Sequence, residues 1–246
     1  MTGSELAAYQ LAVVRELQAI VGDDLIGVYA GGSLALGDYE PGRSDLDMAA
    51  VVRRPLTRGT KAALVAALRH EALSCPARGL ELVVYSERAV TTTAASADFE
   101  LNLNTGAGMV FRADLQPGDE THWFPLDRSV LASHGIALLG PPAREVFAPV
   151  ARGPLLEVLA KSLRWWRANQ PASPDAVLNA CRSLRYAATA AWASKRAAGE
   201  WAAEHGCDVE LVRQALAARG TGASLDPVRV RRFLAAVGER FRSTYA

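Results

Sequence analysis

The sequence predicts a mixed α/β (α+β) unit with a small mixed sheet over residues 1–150 and an all-α helical bundle over residues 151–246. Short apolar runs with strand character occur only in the first part of the chain, where they alternate with helical patterns. From Gly153 onward alanine becomes frequent and several segments begin with helix-capping residues. The rigid sequence Gly140-Pro141-Pro142 precedes this change and marks the boundary.

Each element of the first unit is predicted from the spacing of its apolar residues. Leu6, Val13 and Leu17 recur at roughly helical spacing, between a candidate N-cap at Ser4 and a candidate stop at Gly22. Short apolar runs bounded by turn residues predict the strands. In chain order, the predicted elements are a helix over residues 4–21, strands over 25–30 and 48–52, a helix over 60–73 and a strand over 80–85.

Residues 86–128 carry a weaker pattern than the segment before them. The segment 99–104 alternates like a half-buried strand, with Leu101 and Leu103 on one face and Asn102 and Asn104 on the other. The remaining predictions for this unit are a strand over 109–113, a short helix over 129–134 and a brief apolar run over 136–139.

The second unit is predicted to be helical throughout. Ser173 is a cap serine followed by a proline at the first helical position, and Asp226-Pro227 begins the last helix. Short loops between such helices are typical of a small bundle. The predicted helices cover residues 154–169, 174–194, 195–205, 208–219 and 226–243.

Composition narrows the class of protein. Half of the 246 residues are apolar, 22% are charged, and the formal net charge is +1, which is typical of a globular protein and makes nucleic acid an unexpected principal partner. No apolar run reaches the length of a membrane span, and the N-terminus lacks the pattern of a signal peptide. Three widely spaced cysteines indicate reduced thiols, so we expect a cytoplasmic protein, and we expect a monomer.

The stretch from Gly32 to Asp47 contains the candidate functional residues. Gly32-Ser33 follows the first predicted strand, and Asp45 and Asp47 lie just before the second, spaced two residues apart. Because alternate residues of a strand point to the same face, the two carboxylates are expected to project side by side. Such a pair is stabilised by a hard cation, and Mg²⁺ prefers oxygen ligands. The Gly32-Ser33 turn offers backbone N–H groups and a hydroxyl to a phosphate, so the stretch predicts a metal–nucleotide site.

A further acid interrupts the third predicted strand. Glu81 stands where a buried strand would hold an apolar residue. Alone, it would indicate an exposed edge position. Beside the aspartate pair it suggests a third acid, which either completes the cation site or accepts a proton from a substrate hydroxyl.

Together these residues resemble the nucleotidyltransferase signature of the polymerase-beta-like superfamily: Gly32-Ser33, then Ser44-Asp45-Leu46-Asp47, then a later strand acid at Glu81. The segments at 138–150, 177–186 and 194–202 resemble the linker and the C-terminal helical domain of streptomycin/spectinomycin-type aminoglycoside adenylyltransferases. The resemblance extends, with gaps, from about residue 11 to about residue 243.

The resemblance implies an Mg-dependent enzyme that transfers AMP from ATP to a small-molecule hydroxyl and releases pyrophosphate, with antibiotic resistance as a role. It implies that Asp45 and Asp47 bind Mg²⁺ and that Glu81 is the general base. The implied nucleotide contacts are Gly32, Ser33, Ser44 and Lys195, while Arg182 either reaches the nucleotide or forms an ordinary ion pair.

The acceptor is less well defined by the resemblance. Asp175 is the only acid in the segment that precedes the Val177-Leu178 helix, and the middle region lacks the tryptophan expected of an aminoglycoside enzyme. Two alternatives stay open: nucleotidylation of a protein or RNA end, and a nucleotide-binding regulator without catalysis.

Overall fold

The computed structural model of the chain describes residues 3–96, 98–118 and 122–245. It divides into two compact units, residues 1–150 and residues 151–246. The first is mixed α/β and the second is helical, so the predicted fold class is confirmed.

The first unit contains all the strands of the described chain. In chain order its elements are α1 (Gly3–Val21), β1 (Leu25–Ala30), α2 (Gly32–Ala35), β2 (Leu46–Val52), α3 (Arg58–Leu68), β3 (Leu80–Ser86), α4 (Glu87–Val90), β4 (Leu101–Thr105), β5 (Arg112–Asp114), α5 (Trp123–His134), β6 (Ile136–Leu139) and α6 (Ala143–Val146).

The six strands form one mixed sheet in the order β5-β4-β3-β2-β1-β6. Strands β2 and β3 pair in parallel, and every other pair is antiparallel. Helix α3 lies in the connection between the two parallel strands, as a parallel crossover requires. The two strands that carry the predicted acids are therefore the central pair of the sheet.

The two faces of the sheet have different cores. One face packs its leucine, valine and methionine side chains against α1 and α3, through residues such as Val13, Leu17 and Leu64. The other face buries Tyr29 and Tyr85 against Phe147, whose ring lies edge-on to Tyr29 at 5.2 Å between centroids. Asp47 and Glu81 share this second face, since they alternate correctly with Ala49 and Val83 of its core.

The second unit is a helical bundle whose helices are α7 (Arg152–Asn169), α8 (Pro174–Thr189), α9 (Lys195–Glu204), α10 (Val209–Ala218) and α11 (Pro227–Tyr245). Helix α8 contacts each of the other four. Its buried residues include Val177, Leu178 and Leu184, so a mostly small, apolar helix forms the centre of this core.

Most differences from the predicted elements concern their ends. Strand β2 begins two residues earlier than predicted, at Leu46, and therefore includes Asp47. Helix α3 ends at Leu68 because Arg69 is extended, and α5 begins at Trp123, well before the predicted start. The helix predicted over 174–194 ends at Thr189, because Ala190 adopts the left-handed conformation.

The three cysteines, Cys75, Cys181 and Cys207, are free. Burial is the largest cause that raises the pKa of each thiol above its usual range. These thiols are therefore protonated and poorly reactive near neutral pH. In the part of the chain that the structure describes, no helix is both long and apolar enough to cross a membrane.

The end of α8 offers a test of backbone strain. Ala190 has φ of 55°, a conformation that costs an L-residue about 1–2 kcal/mol and glycine almost nothing. We expect Ala190→Gly to raise the free energy of unfolding by about 0.5–1 kcal/mol, after the larger unfolded-state entropy of glycine is subtracted. Urea denaturation measures this change. The control Ala188→Gly, at an exposed helical position of α8, is expected to destabilise the protein by up to about 1 kcal/mol. Equal effects of the two substitutions would contradict the explanation.

Candidate active site

The turn after β1 is shaped around Asp47. The backbone N–H of Gly31 donates to the carbonyl of Asp47 at 2.9 Å, which joins the end of β1 to the start of β2. Gly32 has φ of +50°, and a Cβ atom at this position would overlap the Asp47 carboxylate. The space that a side chain would fill at residue 32 is therefore occupied by the Asp47 carboxylate. Glycine is required there for both its conformation and its size.

This arrangement predicts a large effect for Gly32→Ala. We expect a loss of activity of about 100-fold or more, because the added methyl group displaces the Asp47 carboxylate. We also expect a loss of stability of about 1–3 kcal/mol from the strained backbone. Gly37→Ala is the matched control, since Gly37 also has a positive φ (+69°) but nothing lies within 4 Å of an added Cβ. For the Gly37→Ala control, thermal denaturation should show a similar loss of stability, whereas steady-state kinetics should show normal activity. Full activity of Gly32→Ala would contradict the steric argument.

Asp47 and Glu81 are brought together by strand pairing. They are direct partners in the register of the parallel strands β2 and β3, whose backbones lie about 4.8 Å apart. Both are half-buried and project from the same face of the sheet. Two carboxylates so placed repel each other unless a cation or a proton is shared between them. This pair is the chemical centre of the candidate site.

Asp45 lies just before β2 and has a different partner. Its Oδ1 atom is 3.3 Å from Nε of Arg78, and the Asp45 side chain is 24% exposed. Nε of Arg78 also donates to the carbonyl of Gly108 at 3.1 Å. Asp45 is therefore paired with a residue that lies two positions before β3, and this residue also contacts the turn between β4 and β5. Sequence reasoning missed Arg78, because nothing in the local pattern links it to an acid 33 residues earlier.

The described residues do not form a complete metal site by themselves. Among them, no group of three or more His, Cys, Asp and Glu side chains is arranged to hold a metal ion. This arrangement fits Mg²⁺ nevertheless, since Mg²⁺ is usually bound by one or two carboxylates together with substrate phosphates and water. The absence of a Cβ at Gly32, which leaves room for the Asp47 carboxylate, agrees with such a use.

The two serines of the predicted phosphate site have different surroundings. Ser33 is half-buried in the short helix α2, and its carbonyl accepts from the N–H of Asp38 at 2.9 Å. Ser44 is only 3% exposed, and its hydroxyl accepts from the N–H of Glu40 at 3.0 Å. Ser33 therefore remains at the turn, whereas Ser44 closes the loop that leads into Asp45.

A row of polar residues extends the acid pair across the sheet. Glu81 is the register partner of Asn104 in β4, and Asn104 is the partner of Arg112 in β5. Partners in register project to the same face. Sequence alternation identified the face of Asn104, but the register that sets it beside Glu81 was not predicted. Arg112 pairs with Asp114, which also accepts from the amide of Asn102.

The two predicted cations of the second unit are both engaged within it. Nζ of Lys195 donates to Oδ1 of Asp175 at 2.6 Å. Nε of Arg182 donates to the carbonyl of Ala193 at 3.1 Å, and its guanidinium lies 5.4 Å from the ring centroid of Trp192. Arg182 thus holds the segment that leads into α9, and Asp175 fixes the ammonium at the start of that helix. Sequence reasoning missed both contacts.

Known proteins are similar to this chain in sequence. Residues 145–234 match the family model described as aminoglycoside adenylyltransferase, C-terminal domain. An aminoglycoside (3'') (9) adenylyltransferase of Shigella flexneri is 27% identical over 213 residues, covering 82% of this chain and 79% of that protein. One from Klebsiella pneumoniae is 28% identical over 204 residues, covering 78% and 76%.

A solved structure shares the fold. It is a spectinomycin adenyltransferase from Enterococcus faecialis with ATP and spectinomycin, which matches with a TM-score of 0.74 at 17% identity and covers 96% of this chain and 98% of its own. The resemblance that the sequence motifs predicted is therefore confirmed: along about four-fifths of its length the chain is similar to the aminoglycoside adenylyltransferases, and residues 145–234 match the C-terminal domain of that family.

Proposed function

We propose that this protein is an adenylyltransferase that transfers AMP from ATP to a hydroxyl of an aminoglycoside-type small molecule and thereby inactivates an antibiotic. The observation that carries the proposal is the pairing of Asp47 with Glu81 on adjacent parallel strands, beside the Gly31–Ser33 turn. The curated relatives, which bear the name aminoglycoside (3'') (9) adenylyltransferase, supply the acceptor class.

In this proposal Glu81 is the general base. Its carboxylate takes the proton from the acceptor hydroxyl as the hydroxyl oxygen attacks the α-phosphorus of ATP. The bond from the α-phosphorus to the bridging oxygen breaks, and that oxygen leaves with its electron pair as part of pyrophosphate. A carboxylate is an ordinary general base for a hydroxyl, and Glu81 is half-buried on the face of the sheet that it shares with Asp47.

Asp45 and Asp47 are proposed to hold Mg²⁺, with Glu81 close enough to contribute. When bound, the ion neutralises charge on the triphosphate and on the departing pyrophosphate. Neighbouring residues of the chain keep the two aspartates in place. The Gly32 conformation leaves space for the Asp47 carboxylate, and Arg78 lies against the Asp45 carboxylate.

The remaining proposals concern the residues that contact the phosphates. The turn at Gly32 and Ser33 is proposed to bind the phosphates. Ser44 is proposed to stabilise the loop that leads into Asp45. Lys195 is proposed to pair with the triphosphate, with Asp175 holding its ammonium and Arg182 supporting the segment before it. Residues 1–150 are proposed to be the nucleotidyltransferase domain and residues 151–246 the C-terminal helical domain.

The test is an assay of pyrophosphate release with ATP and Mg²⁺ across a panel of acceptors. We expect release with at least one of streptomycin, spectinomycin and other aminoglycosides, and a product heavier than the acceptor by one AMP unit in mass spectrometry. Binding of ATP without release for any acceptor would indicate a regulator instead. Release only with a protein or RNA acceptor would indicate that the acceptor is a macromolecule.

A further inference from the structure

The amide of Asn104 is the side chain next to the proposed base in the row across the sheet. Asn104 of β4 is the register partner of Glu81, on the side opposite Asp47. Cβ atoms of direct partners in antiparallel strands are about 4.5–5.5 Å apart. The amide and the carboxylate therefore both reach groups on one small molecule above this face of the sheet.

The side-chain amide of Asn104 differs in its contacts from the side-chain amide of the nearby Asn102. Among the residues that the structure describes, the Asn104 amide takes part in no hydrogen bond, and it is half-buried. Asn102 has the same side chain, lies on the same face of the same strand, and donates to Asp114 at 2.9 Å. The Asn102 side chain therefore hydrogen-bonds within the sheet. The Asn104 side chain presents one carbonyl acceptor and two N–H donors beside the base.

We propose that Asn104 binds the acceptor by a hydrogen bond to a second polar group next to the reacting hydroxyl. The inference rests on the proposed function, because it takes Glu81 as the base that deprotonates that hydroxyl. An amide both donates and accepts, so the group it binds is a neighbouring hydroxyl or amine. The substrate class is therefore a polyol or amino sugar with polar groups on adjacent carbons, rather than an isolated alcohol.

The charges of the row favour this assignment. Asp47 and Glu81 provide the negative charge that a base and a cation site need. On the other side of Asn104, Arg112 is paired with Asp114, so its charge is neutralised within the protein. A neutral amide between these two pairs suits a contact with a neutral or cationic group of the acceptor.

The experiment compares Asn104→Ala with Asn102→Ala in the pyrophosphate-release assay, with spectinomycin and streptomycin as acceptor probes. A neutral hydrogen bond to substrate corresponds to about a fivefold to tenfold change in affinity. We expect Asn104→Ala to raise the acceptor KM by that factor and to leave the ATP KM unchanged. Asn102→Ala should leave the acceptor KM unchanged. Asn104→Ser serves as a second variant if the alanine variant does not fold.

Three results would overturn the inference while leaving the proposed function intact. They are an unchanged acceptor KM in an active Asn104→Ala enzyme, an equal rise in Asn102→Ala, and a rise in the ATP KM instead of the acceptor KM. A wild-type protein that releases no pyrophosphate with any acceptor would overturn the proposed function and this inference together. The two failures are therefore distinguishable by the wild-type activity alone.

Discussion

Replacement of Asp47 by asparagine is expected to abolish magnesium-dependent binding of ATP. The substitution keeps the shape that fits over Gly32 and removes only the charge, so the turn and the strand pairing should persist. Neutralising one of two proposed metal ligands removes several kcal/mol of interaction with the ion, and kcat/KM should fall by about 1,000-fold or more.

Isothermal titration of ATP with Mg²⁺ and with EDTA measures this effect directly. Wild-type protein should bind ATP more tightly with Mg²⁺, whereas Asp47→Asn should show equal, weak binding in both conditions. Asp24→Asn is a suitable control, because Asp24 pairs with Arg54 beyond the opposite end of β2. Unchanged ATP affinity in Asp47→Asn would remove the basis for the proposed metal site.

Glu81→Gln is expected to separate binding from chemistry. Glutamine preserves the size of the side chain and its place in β3, so the affinity for ATP with Mg²⁺ should stay within about threefold of the wild-type value. The rate of transfer should fall by about 100-fold to 10,000-fold, which is the usual contribution of a general base.

The measurement pairs titration of ATP with single-turnover pyrophosphate release. Glu71→Gln controls for the loss of a carboxylate elsewhere in the unit, since Glu71 is exposed and pairs with the nearby Arg69. Normal turnover by Glu81→Gln would exclude Glu81 as the base. A parallel loss of ATP affinity would instead assign Glu81 chiefly to the metal.

The local parts of the site could be predicted from the sequence, whereas its contacts across the chain could not. Gly32 and Asp47 lie within one short stretch, and their placement follows from turn conformation and from strand alternation, whereas Asp45 lies just before β2. The partnership of Asp47 with Glu81 depends on the register of two strands separated by a helix, and packing of the whole sheet sets that register.

Contacts between distant parts of the chain could not be predicted from local patterns. Asn104 lies in a strand of five residues whose alternation shows its face but not its partner. The contacts of Arg78 with Asp45, and of Asp175 with Lys195, join residues 33 and 20 positions apart. For Ser44, the family resemblance implied a phosphate contact, but the direction of its hydroxyl follows from the fold of the loop.

The position of β2 and β3 in the middle of the sheet has a consequence for heat inactivation. Each of these strands is hydrogen-bonded on both sides, so neither can separate unless the sheet opens. Central strands belong to the slowest-opening part of a domain, whereas edge strands and termini open first. Asp47 and Glu81 therefore keep their spacing until the first unit unfolds cooperatively. Loss of activity on heating should report global unfolding of that unit, and repeated cycles below its transition should leave the enzyme intact.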